Sequence, residues 1–264
     1  MKDFMDDKGI LVSISIVSHG QINLIEKLLR DISVSCKNIA IEIILTLNLN
    51  EVLLFSENLF SFPIKVIRNF IPLGFSANHN QAFGYAKGKF FCVVNPDIRF
   101  DENPFLVLID CLKNISVGVA APVVLDQHGK IEDSARRFPT PFKIICKAFG
   151  KCKESDYLIN EESIYPDWAG GMFLLFPRSI FEILGGFDRR YFLYYEDVDI
   201  CARLKLLGYV VVVSPLANVT HHAQRSSHHN IRYLYWHLCS MMRFFLSPVF
   251  WRVQSHKFIS KSEI

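Results

Sequence analysis

Phe90-Phe-Cys-Val-Val-Asn-Pro-Asp97 is an unbroken apolar run that ends abruptly in a polar turn. Five apolar residues without polar alternation mark a strand buried on both faces, as in a parallel sheet covered by helices. The same grammar recurs on either side. Upstream, residues 11–17, 40–47 and 64–67 read as buried strands, with helices at 21–35 and 76–86 between them. The first helix has apolar residues at 22, 24, 25, 28, 29 and 32, a helical spacing. Downstream, 104–113 reads as a helix and 118–122 as a strand. This order predicts a mostly parallel sheet with right-handed crossovers. Ligands of such sheets bind at the carboxyl ends of the strands. That rule selects His19, Asn48, Asn69 and Asn95-Pro96-Asp97, polar residues placed just beyond apolar strands.

The second half is less regular. Residues 126–166 hold Arg136-Arg137, Pro139, Pro141 and a mixed-charge run at 151–162, and predict an excursion that acts as a mobile lid. Regular structure resumes with a strand at 168–176 and a helix at 177–184, opened by Pro177 and closed by Gly185. A helix at 199–207, ended by Gly208, leads into a strand at 209–213. Residues 231, 234, 235, 238, 241, 242 and 245 form the apolar stripe of an amphipathic helix, with Arg232 and Arg243 off the stripe. Two readings of that helix stand. It docks on the domain core, or it lies on anionic lipid with help from Phe244, Trp251, Arg252 and Lys257.

Half of the 264 residues are apolar, enough for a sizeable core, and the net charge is a mild +3. The charge is uneven: from His221 onward six Lys/Arg stand against one acid, and six of the nine His fall there. A basic, aromatic tail points to an anionic partner such as a membrane surface, a diphosphate lipid or nucleic acid. The body has no basic stripe, which argues against nucleic acid. Seven Cys, an odd number without metal spacing, read as reduced thiols of a cytosolic protein. The N-terminus lacks the pattern of a signal peptide, and no run nears the roughly 18 apolar residues of a membrane span. These features predict a soluble or peripheral protein.

Several groups can carry chemistry. Asp97 at a strand end can hold Mg²⁺ or Mn²⁺ against two phosphates; Asn95-Pro96-Asp97 is equally a good Asx turn. Glu196, Asp197 and Asp199 put three acids within four residues beside a helix start. Capping accounts for one or two of them, and crowding raises a pKa toward that of a general base. His221-His222 after a late strand offers a metal ligand or phosphate contact, or an ordinary surface pair. Trp168-Ala-Gly170-Gly171 joins a sugar-stacking ring to residues that let a ligand approach the backbone. A core Trp with a glycine bulge fits as well.

Taken in order, these residues resemble glycosyltransferase family 2, inverting enzymes of the GT-A fold. Residues 12–20 resemble the first strand and nucleotide-contacting loop, with Ser18 and His19 at its end. Arg68-Asn69, Leu73-Gly74-Phe75 and Asn78-His-Asn80 resemble the donor segment, and Asn95-Pro96-Asp97 stands where the family has its DxD-type metal motif. Gly185-Gly-Phe-Asp188, Phe192, Tyr195 and Glu196-Asp-Val-Asp199 resemble its "GGFD…F…ED.D" block, and His221 stands where it has a late His. Within the family, Ser134-Ala-Arg-Arg-Phe-Pro139, Trp236-His-Leu and Arg243-Phe244 are similar to bacterial O-antigen rhamnosyltransferases.

The resemblance implies an α/β fold: a Rossmann-like nucleotide-binding half with a mixed central sheet, in a single domain with a C-terminal amphipathic helix. The domain would cover 1–225, with a donor-binding half at 1–122 and an acceptor half at 123–225, and the basic tail 226–264. It implies Asp197 as the catalytic base, and Ser18, His19, Asn48, Asn69, Asn80, Asn95 and Asp97 at the donor. Trp168, Gly170, Gly171 and Glu196 would line the acceptor side, with Asp97 and His221 on Mg²⁺ or Mn²⁺. It further implies dTDP-L-rhamnose as donor, a lipid-linked acceptor of the undecaprenyl-diphosphate type, and a cytoplasmic protein peripheral on the inner face of the cell membrane. One departure stands out. The family's Asp after the second strand is replaced by Leu47, leaving the Asn48 amide to meet the base. Rival readings are a galactofuranosyl- or hexosyltransferase of the same family, and a catalytically silent glycan- or lipid-binding subunit.

Overall fold

The computed structural model describes residues 9–148, 155–222 and 231–262, the side chains of 147–148 and 256–262 excepted. The first eight residues, part of the 151–162 charge run, the segment after His222 and the side chain of Lys257 lie outside the described residues.

The five strand-forming runs of the first half appear as β1 (Val12–Ser18), β2 (Ile41–Leu47), β3 (Ile64–Arg68), β4 (Phe90–Val94) and β6 (Val117–Asp126). A two-residue β5 (Ile98–Arg99) follows the Asn95-Pro96-Asp97 turn. With β9 (Phe173–Pro177) and β10 (Val210–His221) they form one sheet in the order β3-β2-β1-β4-β9-β6-β10-β5. β3, β2, β1 and β4 are mutually parallel, while β9 runs antiparallel between β4 and β6. The sheet is therefore mixed, as the resemblance implied. It is a single α/β domain whose central sheet curls, with one apolar core on each face.

α1 (Ile22–Ser35) buries Ile25, Leu28, Leu29 and Ile32, one stripe at helical spacing. α3 (Pro104–Cys111) starts with Pro at its first turn and Asn103 as cap, its side-chain oxygen accepting from Phe105 N–H. α2 (Phe75–Phe83) crosses from β3 to β4. The 126–166 stretch is less irregular than its sequence: β7 (Ala135–Arg136) and α4 (Pro141–Ala148) lie within it.

Three elements depart from expectation, each for a local reason. The strand expected at 168–176 is broken into β8 (Trp168–Ala169), which pairs with β7, and β9. Between them, Gly170 N–H donates to Ser134 O and Gly171 N–H to the Asp197 carboxylate, so the backbone leaves the ladder. β10 runs past Pro215, beyond the expected end at Val213, because the register shifts between Ser214 and Asn218. This bulge takes up the proline and carries the strand on to His221. Finally, Ser247-Pro248 separates two helices, α7 (Ile231–Leu246) and α8 (Pro248–Ser262). Ser247 Oγ accepts from Phe250 N–H, and Pro248 sits in the first turn of α8, where it lacks no needed donor.

The two C-terminal helices are anchored in the body by Phe244, Phe250 and Val253. The apolar stripe of α7 divides: Met241 and Phe245 are partly buried against the core, and the rest faces outward. Ile231, Leu234, Tyr235, Leu238 and Met242 are exposed, while Ser240 and Phe244 are buried.

Candidate active site

A cleft of about 750 Å³ opens at the carboxyl edge of the parallel strands. One wall comes from His19, Asn48 and the start of α2. Its floor is Asn95-Pro96-Asp97. The opposite wall is Gly171-Met172, residues 192–194, Glu196-Asp197, His221, and Tyr233 and Trp236 of α7.

Asp97 is held by its backbone, whose carbonyl accepts from His222 N–H where β5 meets β10. One carboxylate oxygen, Oδ2, lies 3.3 Å from His221 Nε2. The other, Oδ1, is buried without a hydrogen-bond partner. The far nitrogen of the imidazole, Nδ1, is 3.0 Å from Glu132 Oε2. Burial pulls the His221 pKa down, but the two carboxylates outweigh it and the pKa is raised. An orphaned hard oxygen beside an imidazole nitrogen suits a divalent cation. Among the described residues no cluster of three or more such ligands exists. Asp97 and His221 would thus hold only part of a cation's shell, leaving the rest to phosphate oxygens and water.

On the opposite side, Asn48 is fully committed. Its Nδ2 donates to Leu73 O and its Oδ1 accepts from Leu73 N–H, both at 2.8 Å. The remaining positions go to His19 Nδ1 at 3.1 Å and Asn69 Nδ2 at 2.8 Å. Four bonds exhaust an amide side chain. Asn48 therefore fixes the 69–73 loop from within the cleft. Leu47 is fully buried in the core.

Glu196 and Asp197 open α6 (Glu196–Leu206). They are presented by Tyr194 and Tyr195, consecutive non-glycine residues with φ of 69° and 66°. Left-handed backbone of this kind costs on the order of 1–3 kcal/mol per residue and concentrates at functional sites. Asp197 Oδ1 accepts from Val198 N–H at 2.8 Å and Oδ2 from Gly171 N–H at 3.0 Å. Burial raises the Asp197 pKa, and these two donors and Arg136 pull it back. Glu196 is buried, with Oε2 unpartnered, and its pKa lies well above the ordinary value, first through burial and then through Asp197. The pair therefore divides: Glu196 is driven to its neutral form and Asp197 keeps the charge. Asp199 is separate, its carboxylate 2.7 Å from Arg203 Nε. Arg203 also donates to Leu184 O and Gly186 O, which makes that acid structural.

The cleft thus gathers His19, Asn48, Asn95, Asp97, Gly171, Glu196, Asp197 and His221. It does not gather the other expected site residues. The Ser18 hydroxyl is spent on Glu51 and the Gln21 N–H. Asn69 braces Asn48 and Asn78. Both amide atoms of Asn80 bond the Phe187 backbone. Trp168 donates its indole N–H to Arg137 O, under the guanidinium of Arg136, and Gly170 is tied to Ser134. None of these five lines the cleft.

Sequence reasoning assigned no role to Glu132, Arg136, Met172, Phe192, Tyr233 or Trp236. Phe192, Trp236 and Arg136 stood in the motifs that carried the resemblance, which was the available signal. Glu132, one of two adjacent acids in an irregular stretch, had none.

The fold recurs in solved structures. GalNAc-T7, solved with UDP, GalNAc and Mn²⁺, superposes with a TM-score of 0.62 at 17% identity, over 83% of this chain and 45% of that one. The mannosyltransferase PcManGT of Pyrobaculum calidifontis, in complex with GDP-Man and Mn²⁺, gives 0.58 at 15% identity, over 92% and 69%. The chain has the GT-A fold of such glycosyltransferases. No family model matches it. It is, however, 30% identical over 252 residues to rhamnosyltransferase WbbL of Escherichia coli strain K12, spanning 89% of this chain and 92% of that protein. It is also 32% identical to the N-acetylglucosaminyl-diphospho-decaprenol L-rhamnosyltransferase of Mycobacterium tuberculosis, over 51% of this chain and 47% of that protein. The chain belongs to this family of rhamnosyltransferases.

Proposed function

We propose that this chain transfers L-rhamnose from dTDP-L-rhamnose to a saccharide carried on a polyprenyl diphosphate, in O-antigen or other surface-polysaccharide assembly, with inversion. The observation that carries the reading is that one cleft brings together the Asp97–His221 pair and the Glu196–Asp197 pair. Asp197 takes the proton of the acceptor hydroxyl as it attacks the anomeric carbon. The C–O bond forms as the bond to the nucleoside diphosphate breaks on the opposite face. Neutral Glu196 adds no second charge beside the base. Gly171 and Val198 hold the Asp197 carboxylate in place through their N–H groups. Mg²⁺ or Mn²⁺ at Asp97 and His221 would neutralise the leaving diphosphate.

The exposed face of α7 is proposed to rest on the membrane that carries the acceptor, on its cytoplasmic side. Apolar Leu234, Leu238 and Met242 would enter the interface, and exposed Arg232 and Arg252 would meet anionic headgroups. No described helix is long and apolar enough to cross a membrane.

The test is calorimetric titration with dTDP, UDP and GDP, with and without Mn²⁺, followed by transfer to a synthetic polyprenyl-diphosphate N-acetylglucosamine. Selective, metal-dependent binding of dTDP together with transfer is the expected result. Preference for UDP or GDP would move the donor to another hexose. Binding of none would favour a silent subunit, a reading supported by the full commitment of Asn48 and the burial of Leu47.

A further inference from the structure

Trp168, the aromatic residue expected to meet a sugar, does not line the cleft, yet the cleft is not without aromatic surface. Phe192 from the loop before α6 and Trp236 from α7 face one another with centroids 4.7 Å apart and planes at 36°. Tyr233, one turn earlier on α7, stands edge-on to Trp236 at 5.3 Å. All three line the same cleft as Asp197. Phe192 is 37% exposed, and the other two are half-buried. Rings packed only for the core would be closed off, as Phe244 is lower on the same helix.

The mounting is rigid. Ser240 Oγ donates to Leu193 O at 2.9 Å, tying α7 to the loop. Phe192 O accepts from Phe75 N–H at 2.8 Å, which ties the loop to α2. The backbone then enters the left-handed Tyr194-Tyr195 pair that delivers Asp197. One fixed unit therefore carries both the aromatic surface and the base.

We infer that Phe192, Trp236 and Tyr233 form the subsite for the acceptor's sugar ring. The apolar C–H face of a pyranose lies against the aromatic wall, and the ring's hydroxyl edge turns toward Asp197. Rings give area and orientation at low conformational cost, since each has only two rotatable side-chain bonds. The outer face of the same helix is apolar and exposed, so a lipid tail leaving the sugar would continue along α7. The inference rests on the reading of the cleft as a sugar-transfer site.

Two readouts separate its failure from that of the transfer reading. The first is direct binding of a water-soluble short-chain polyprenyl-diphosphate N-acetylglucosamine, followed by intrinsic fluorescence and calorimetry without donor. The second is the acceptor KM for rhamnosyl transfer. Trp236→Ala and Phe192→Ala are expected to weaken acceptor binding and raise that KM about tenfold or more, the scale of one lost aromatic contact. Trp236→Phe should recover most of the loss, and dTDP affinity should stay within about twofold, below the scale of any lost direct contact. A purely structural role would lower dTDP affinity and thermal stability together. Acceptor binding that depends on Trp236 without any transfer would uphold the subsite and sink the rhamnosyl reading. Unchanged acceptor binding in both alanine variants, or no binding to the wild type, would overturn the inference.

Discussion

Glu132 Oε2 lies 3.0 Å from His221 Nδ1, on the side of the ring away from Asp97, whose Oδ2 is 3.3 Å from Nε2. The three residues come from distant parts of the chain: the turn after β4, the end of β10, and a segment tied by Glu132 N–H to Val124 O of β6. A carboxylate on Nδ1 holds a proton there and fixes the ring, so that Nε2, beside Asp97, could ligate a cation when one binds. Glu132 is therefore a positioning residue for the cation site. Glu132→Ala should weaken Mn²⁺ binding in the presence of dTDP by about 10–100-fold, the usual effect of losing such a support. Glu132→Gln, which still offers an oxygen to Nδ1, should lose less. Titration of Mn²⁺ by electron paramagnetic resonance reads this without turnover, and an alanine variant that binds Mn²⁺ like the wild type would remove Glu132 from the site.

Glu196 and Asp197 separate by substitution. Asp197→Asn removes the base and should lower kcat by about 10²–10⁴-fold, with dTDP binding retained. The wild-type rate should fall as pH drops through the raised Asp197 pKa, so the acid limb lies above the ordinary carboxylate value of roughly 4. A pH–rate profile of the wild type, with the limb at an ordinary carboxylate position, would contradict this.

Glu196 makes the opposite test through stability. Its folded pKa is raised, so folding takes up a proton between the unfolded value, roughly 4.3, and the raised folded value. In that window the unfolded state binds fewer protons, and stability falls as pH rises. Glu196→Gln mimics the neutral form and escapes the loss. Its Tm should match the wild type in acid and exceed it increasingly toward neutral pH. Equal Tm values at all pH would mean that Glu196 is not neutral in the fold.

Much of this was legible beforehand because it rests on local pattern. Strands β1, β2 and β4 announced themselves through unbroken apolar runs, and the polar residues at their ends do border the cleft. What escaped depends on long-range geometry. Nothing local says that β10 crosses Pro215 by a bulge; the pairing of His221 with Asp97 came from the family resemblance and not from local pattern. Asn80 and Asn69 looked like donor ligands because they stood in the right motif, but the Asn80 amide bonds the Phe187 backbone and the Asn69 Nδ2 bonds Asn48 and Asn78. The periodicity of α7 identified the helix and its stripe, yet not which side docks. Aromatic Tyr233, Trp236 and Phe244 and small Ser240 hold the helix from a face that hydrophobicity alone ranks lower.

Gly74 tests the link between the two sides of the cleft. Its φ is ordinary, so conformation is not what requires glycine. Space is: a Cβ there would stand 2.5 Å from Phe192 O and 2.7 Å from Phe192 Cα, both backbone atoms. Gly74→Ala must push the 192–195 loop away from α2. The expected cost is about 1–3 kcal/mol, typical of overpacking, read as a drop of several degrees in Tm. Transfer should suffer beyond the stability loss, since that loop also positions Asp197. A variant with wild-type Tm and rate would show that the loop yields freely.

The membrane role of α7 needs a variant that leaves the fold alone. Removing residues 231–264 would take Phe244, Phe250 and Val253 out of the core, so loss of sedimentation would report unfolding as readily as lost contact. Leu234 and Leu238 avoid this, being 57% and 46% exposed on the outward face. Surface substitutions of this kind usually change stability by less than about 0.5 kcal/mol. A charge pressed into the lipid interface meets a far larger opposing term. Leu234→Glu with Leu238→Glu should therefore keep Tm and dTDP binding while abolishing sedimentation with vesicles containing anionic phospholipid. Wild-type binding should weaken as salt rises, because Arg232 and Arg252 contribute through screened attraction. If the double variant still sediments with such vesicles, the outward face of α7 is not what meets the membrane.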